Sequence, residues 1–317
     1  MSKTVAVIPE QGRGKKLLKR IRRFLPIYLF MLPGLAYLVI NNYMPMPGLV
    51  LAFKKYNAKL GIFKSPWIGF SNFKYLFATR DAFLITRNTI LYNITFIIVN
   101  TVLAIAVAII LSEITGRVKK FYQSAILLPN LISSVIIGYL VFAFFSVENG
   151  FINNQILNKM GKESVLWYSE TKYWPFILVF VSAWKSVGYN CIVYLSTLLG
   201  FDRAFYEAAA IDGATKWQQI TKITLPLLRP TIIMLTMMAI GRIFYSDFGL
   251  FYQVPMNQGQ LFPVTQTIDT YVYRALLQQS DIAKSSAAGL YQSVVGFILV
   301  LGANLLVRKV DRDSALF

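Results

Sequence analysis

Apolar residues gather into six long runs separated by shorter polar segments, at about Phe24 to Tyr43, Thr89 to Leu111, Tyr122 to Phe145, Pro175 to Leu199, Leu227 to Tyr245 and Leu290 to Val307. As helices rising about 1.5 Å per residue, runs of this length cross roughly 30 Å of hydrocarbon. The pattern predicts an all-α membrane protein with six transmembrane helices and no soluble second domain. The first run follows a basic arm, as a secretion signal would, but it is too long for a signal core and lacks a small-residue cleavage site. Pro26 is read as a first-turn proline, and Pro33-Gly34 predicts a kink.

Composition strengthens this reading. Of 317 residues 56% are hydrophobic, too many for a soluble chain of this length. The net charge of +18 would suit nucleic acid, but the basic residues sit at the ends of apolar runs, where membrane topology explains them. With six spans both ends share one side, and 18 of the 32 Lys and Arg residues fall there, against a smaller number in the longer loops opposite. The positive-inside rule therefore predicts cytoplasmic termini. The domain reading is a basic arm over 1–23, a membrane domain over 24–308 and a tail over 309–317. The sequence holds no histidine and a single cysteine, Cys191, in an apolar run. Imidazole chemistry, a disulfide framework and a thiolate metal cluster are thus excluded, no metal site is expected, and Cys191 reads as a small core residue.

One polar island interrupts the second half of the chain. From Asp202 to Pro230 the sequence spells helix, turn, helix: Ala208 to Ala210 favour helix, Gly213 suits a left-handed cap, and Thr215 with Gln218 forms a capping box. Pro226 predicts the second helix to end near Leu225. Trp217, Ile220 and Ile223 predict one apolar stripe, with Trp217 pinning this helix to the membrane helices.

The order Glu207-Ala208-Ala209, three residues, Gly213, nine residues, Ile223, one residue, Leu225-Pro226 matches at every fixed position the cytoplasmic Glu-Ala-Ala loop of binding-protein-dependent ABC importer permeases. Asp212-Gly213-Ala214 resembles the carbohydrate branch. Phe24 to Asn57 with Pro66 to Phe77 resembles the lipoprotein-dependent oligosaccharide permeases of LplB type. The chain departs from many relatives at Lys55, where an acid is common, and at Asp202-Arg203-Ala204, where a proline often precedes the glutamate. The resemblance implies a type I ABC importer permease fold in a bacterial cell membrane, of Gram-positive type. The loop 202–226 would form a coupling helix docking on an ATP-binding subunit. Glu207, Ala208, Ala209, Asp212, Gly213, Ala214, Trp217, Leu225 and Pro226 would carry the coupling. The implied partners are a second homologous permease in a heterodimer, two ATP-binding subunits, an extracellular sugar-binding lipoprotein and the lipid bilayer, with no nucleic acid.

The chain has no phosphate loop, since Gly161-Lys162 lacks the upstream glycine and is followed by Glu163. It is read as a non-enzyme that binds no cofactor, with ATP and Mg held by the separate ATPase subunits. Ionisable residues within spans are expensive and mark water-filled paths. Lys185, beside Trp184, Tyr189 and Asn190, offers stacking rings and polar groups for a sugar. Arg242 precedes Tyr245 and Asp247, and an Arg242 to Asp247 pair is predicted to gate the outer end. Two roles stay open for Lys185 and Arg242, path lining or snorkelling between packed helices. Asn130, with Ser133 and Ser134, reads as path or helix packing. The segment 246–289 either meets a delivering protein or caps the bundle. A non-sugar importer and a self-contained secondary transporter are the alternatives, the second disfavoured by the lack of acids deep in the spans.

Overall fold

The computed structural model describes residues 13–74, 80–278 and 280–310. They are helical, and the only bridge among them is an isolated antiparallel one between Lys54 and Trp67. The chain divides into two units, residues 1–51 and 52–317.

The first unit is built on α1, Arg13–Leu38, which runs into a π turn over Val39–Tyr43. Leu29, Phe30 and Leu32 are exposed, as suits a helix whose solvent is lipid. Residues 13–23 of the expected arm are the first turns of this helix, because the Lys, Arg and Leu residues there are good helix formers. Pro26 therefore lies well inside α1 and not in its first turn. Residues 1–12 and 311–317, which hold the rest of the arm and most of the tail, lie outside the described residues.

The second unit holds the long helices α2 (Arg80–Glu113), α5 (Trp174–Leu199) and α11 (Ile282–Val310). The expected third span is two helices, α3 (Gly116–Leu131) and α4 (Ser134–Phe145), bent by 93° at their junction. Pro129 and the extended backbone at Ile132 and Ser133 account for the break, and Ser133 Oγ accepts the Ile136 N–H to cap the new helix. Among the described residues five helices are long and apolar enough to cross a membrane, and a sixth results if α3 and α4 count as one span.

The helix α5 is the hub, the most buried of the five long helices found among the described residues. Its N-terminal half packs Trp174 and Leu178 with Tyr92 of α2 and Ile137 and Val141 of α4. Its C-terminal half packs Cys191, Tyr194 and Leu195 with Ala104 and Ala108 of α2. Small residues allow the approach: a Cβ on Gly188 would sit 1.8 Å from the Ile126 carbonyl oxygen of α3, so only glycine fits there. Cys191 is a fully buried free thiol in this core.

Asn153 organises the loop between α4 and α5. Its side chain donates to the carbonyls of Val147 and Val165 and accepts from Val165 N–H and Trp167 Nε1. The segment after residue 245 folds back as α9 (Phe248–Gln253) and α10 (Ile268–Leu277). Asn88 and Tyr92 of α2 donate to its carbonyls at Pro263, Gln266 and Val264. Capping the bundle is thus a role this segment does fill.

Candidate functional site

Two polar features stand out at different depths of the second unit, one after the end of α5 and one near its middle. The first is the hairpin after α5. Asp202 Oδ1 accepts the Ala204 N–H at 2.9 Å and starts α6, Ala204–Ile211. At its end Ala214 N–H reaches the Ala209 carbonyl at 2.8 Å, and Gly213 takes φ +77°. No atom lies within 4 Å of a Cβ placed on Gly213, so this glycine is demanded by backbone geometry and not by space. The capping box then forms: Thr215 Oγ1 accepts the Gln218 N–H at 3.3 Å and Gln218 Oε1 accepts the Thr215 N–H at 2.7 Å.

The next helix, α7 (Lys216–Gln219), does not stop near Leu225. It widens into a π turn over Ile220–Thr224 and continues as α8, Leu225–Ile240. Leu225 N–H bonds Ile220 carbonyl, five residues back, so the ladder is already offset and Pro226 falls in the first turn of α8, where no donor is needed. The extra residue also rotates the faces. Gln219 and Thr224 turn inward and Tyr206 OH lies 3.1 Å from Thr224 Oγ1, while Trp217 is 72% exposed and pins nothing. Ile211 is 88% exposed. Glu207, Ala208, Asp212 and Pro226 are exposed, and Ala209, Ala214 and Leu225 are half-buried. Lys216 Nζ pairs with Glu113 Oε2 at 3.1 Å, tying the hairpin to the end of α2. Glu113, Arg203, Tyr206, Glu207 and Lys216 line a cleft of about 480 Å³.

The second feature lies at the α3/α4 break. Lys185, eleven residues into α5, donates from Nζ to Ser134 Oγ at 2.9 Å and lies 3.4 Å from Asp247 Oδ2. Asn130 Nδ2 donates to the Lys185 carbonyl at 3.4 Å. Asp247 caps α9 through its other oxygen, accepting the Leu250 N–H at 3.1 Å. The expected Arg242 to Asp247 pair does not form: tertiary packing hands Asp247 to Lys185, and Arg242 is exposed without an ion pair among the described residues. Tyr245 OH lies 3.1 Å from Ser293 Oγ. Trp184 and Tyr189 are exposed and Asn190 is half-buried beside the cluster on the same helix. The structure thus gathers Asn130, Lys185 and Asp247 and leaves Arg242 and Tyr245 apart from them.

Sequence reasoning missed Ser134 as an acceptor and Gly249 behind it, where a Cβ would lie 2.4 Å from Ser134 Oγ. It also missed Glu113, Ile211, Gln219 and Thr224. Among the described residues no group of three or more His, Cys, Asp or Glu side chains could hold a metal.

Residues 87–312 match the family model of the binding-protein-dependent transport system inner membrane component. The chain belongs to this family. The permease is 34% identical over 304 residues to Protein LplB of Bacillus subtilis (strain 168), covering 96% of this chain and 95% of that one. It is 33% identical over 310 residues to the polygalacturonan/rhamnogalacturonan transport system permease protein YteP of the same organism, covering 98% and 96%. Among solved structures it is similar to a bacterial ABC transporter involved in the import of the acidic polysaccharide alginate. The TM-score is 0.84 at 32% identity, covering 93% of this permease and 99% of that chain. It is also similar to a bacterial alginate ABC transporter solved in complex with an alginate pentasaccharide-bound periplasmic protein, with a TM-score of 0.83 at 32% identity, covering 93% of this permease and 98% of that chain. The helical fold is that of an ABC importer permease, multi-pass and membrane-embedded.

Proposed function

We propose that this permease forms half of the path of an ATP-driven importer for a carbohydrate, an oligosaccharide delivered by an extracellular binding lipoprotein. The other half is a second homologous permease, and two ATP-binding subunits dock on the hairpins. The termini and the hairpin face the cytoplasm of a Gram-positive cell, and this chain hydrolyses nothing itself. The observation that carries the coupling reading is the hairpin's surface: Glu207 without an ion pair among the described residues, and Ile211 and Trp217 bare beside a turn held by the left-handed backbone of Gly213. Apolar side chains held rigidly outward at a membrane end are what a docking partner covers.

The sugar reading rests on relatives such as YteP and the alginate importer, whose names specify polysaccharides. It rests also on the break beside α5, where a lysine, an aspartate and an asparagine stand with Trp184 and Tyr189 nearby. Rings stack on sugar faces and the polar groups take hydroxyls or carboxylates. ATP binding draws the docked hairpins together and opens the path outward, and hydrolysis resets it. Reconstituting the four-subunit complex and measuring uptake with ATPase stimulation tests this: stimulation by an oligosaccharide-loaded binding protein is expected, and stimulation only by a peptide or amino acid removes the sugar assignment.

A further inference from the structure

The segment between the first two spans, from Ala52 to Lys74, is sewn into a small knot by backbone hydrogen bonds and the side chains of Lys54 and Asn72. Lys55 N–H bonds the Pro66 carbonyl and Ile68 N–H the Phe53 carbonyl, both at 2.9 Å. Asn72 Nδ2 donates to the carbonyls of Ala52 and Lys54 at 3.0 and 2.9 Å. The buried Lys54 ammonium caps the one-turn helix Gly61–Lys64, donating to the carbonyls of Ile62 and Phe63.

With its polar atoms thus occupied, the knot turns large rings outward: Phe63 is 73%, Trp67 61% and Phe70 72% exposed. Around them Lys55, Lys59, Lys64 and Lys74 are exposed, and no Asp or Glu occurs between Glu10 and Asp81. An apolar segment whose own charges are all basic fits an anionic, partly apolar layer.

Its depth is set by α2. Phe73 packs with Ile85 of α2, Phe244 and Ala288, while the far end of α2 carries Glu113, paired to the hairpin's Lys216. From Ile85 to Glu113 the helix rises about 42 Å, which matches the ~40–45 Å of a bilayer with its headgroups. The knot is therefore held at headgroup level in the leaflet opposite the coupling hairpin.

We propose that residues 52–74 form an anionic-phospholipid anchor, with Phe63, Trp67 and Phe70 inserted at the acyl boundary and Lys55, Lys59, Lys64 and Lys74 on lipid phosphates. Aromatic rings and lysines are the side chains that settle at this boundary.

The test places an environment-sensitive fluorophore on Phe63→Cys; buried Cys191 does not compete in the folded permease. The labelled four-subunit complex is reconstituted in vesicles of phosphatidylcholine alone or with an equal part of phosphatidylglycerol. Blue-shifted emission is expected, with quenching by headgroup spin-labelled phosphatidylglycerol at least about fivefold more effective than by the phosphatidylcholine analogue, the worth of one lysine at an anionic surface. The fourfold change K55Q/K59Q/K64Q/K74Q, which spares structural Lys54, should abolish that preference and leave the blue shift. Equal quenching by both lipids overturns the charge assignment. Full quenching by aqueous iodide with none by lipid overturns the anchor, as does protection that arises only when the binding protein is added.

Discussion

Lys216 Nζ lies 3.1 Å from Glu113 Oε2 and 3.2 Å from Oε1, joining the first residue of α7 to the last of α2 across 103 positions of sequence. Both side chains are largely exposed, so the pair is worth less than about 1 kcal/mol of stability and screens with salt. Its value is positional, because it fixes the hairpin against the longest span. Glu113→Lys is expected to leave the melting temperature nearly unchanged while lowering ligand-stimulated transport. The exchange Glu113→Lys with Lys216→Glu should restore transport. Absence of rescue in vesicle uptake would mean that the contact positions nothing.

Gly213 sits at φ +77° with open space where a Cβ would point. Substitution therefore costs only backbone strain, about 1 kcal/mol for alanine and more for a branched side chain. Gly213→Asn, which tolerates this conformation, should keep uptake near the parent value, Gly213→Ala should lower it moderately, and Gly213→Val should uncouple ATP turnover from uptake. The ratio of sugar moved to ATP hydrolysed reports this order. A series in which all three variants behave alike would refute it.

Asn153 is fully buried, and its amide ties Val147, Val165 and Trp167 together in the loop between α4 and α5. Asn153→Asp removes the donors facing the Ser146, Val147 and Val165 carbonyls, and Asn153→Leu orphans all the partners at once. Each orphaned buried group costs about 1–3 kcal/mol. Thermal unfolding of the purified complex should fall by several degrees for Asn153→Asp and further for Asn153→Leu. Protease sensitivity should appear first between residues 146 and 173.

Much of this architecture is legible in the sequence, and the failures have physical causes. Runs of apolar residues show where lipid must be met, so the spans were readable at their centres. The apolar residues running from Tyr122 to Phe145 do not by themselves mark a right-angled bend, because a straight span and a bent pair of helices both need them; Pro129 and Ser133 were the hints. Trp217, Ile220 and Ile223 kept helical spacing, yet the π turn over Ile220–Thr224 moved Gln219 and Thr224 inward instead. A one-residue insertion in the ladder leaves no compositional trace. Asp247 found Lys185 and not its nearer neighbour in sequence, Arg242, because the α3/α4 break carries Ser134 to the same place. The hairpin's caps were readable because they depend on residues three or four apart.

Asp247 makes two separable contributions. One oxygen caps α9 at Leu250 N–H, and the other faces the Lys185 ammonium at 3.4 Å. Asparagine caps helices as well as aspartate does, so Asp247→Asn should preserve folding while removing the charge opposite Lys185. Freed of that partner, Lys185 keeps Ser134 Oγ at 2.9 Å and becomes a more available cation at the break. Transport of a carboxylated sugar should then gain in apparent affinity relative to a neutral one, whereas Lys185→Met should reverse the preference. Competition uptake assays with the two sugar classes distinguish these outcomes. Unchanged selectivity in both variants would make the pair a packing contact between α5 and α9.

The role of Gly249 can be tested by compensation. A methyl group there would meet Ser134 Oγ at 2.4 Å and Ser134 Cβ at 2.6 Å. Gly249→Ala should therefore push α9 away from the α3/α4 break and cost about 1–3 kcal/mol through overpacking. Because Ser134 Cβ is itself in the way, Ser134→Ala cannot relieve the clash, but Ser134→Gly can. Ser134→Gly also removes the Lys185 acceptor, so the double variant should recover stability without recovering uptake. Recovery of both would show that the Lys185 to Ser134 hydrogen bond has no part in the path, and recovery of neither would show that the clash is not the reason glycine stands at 249.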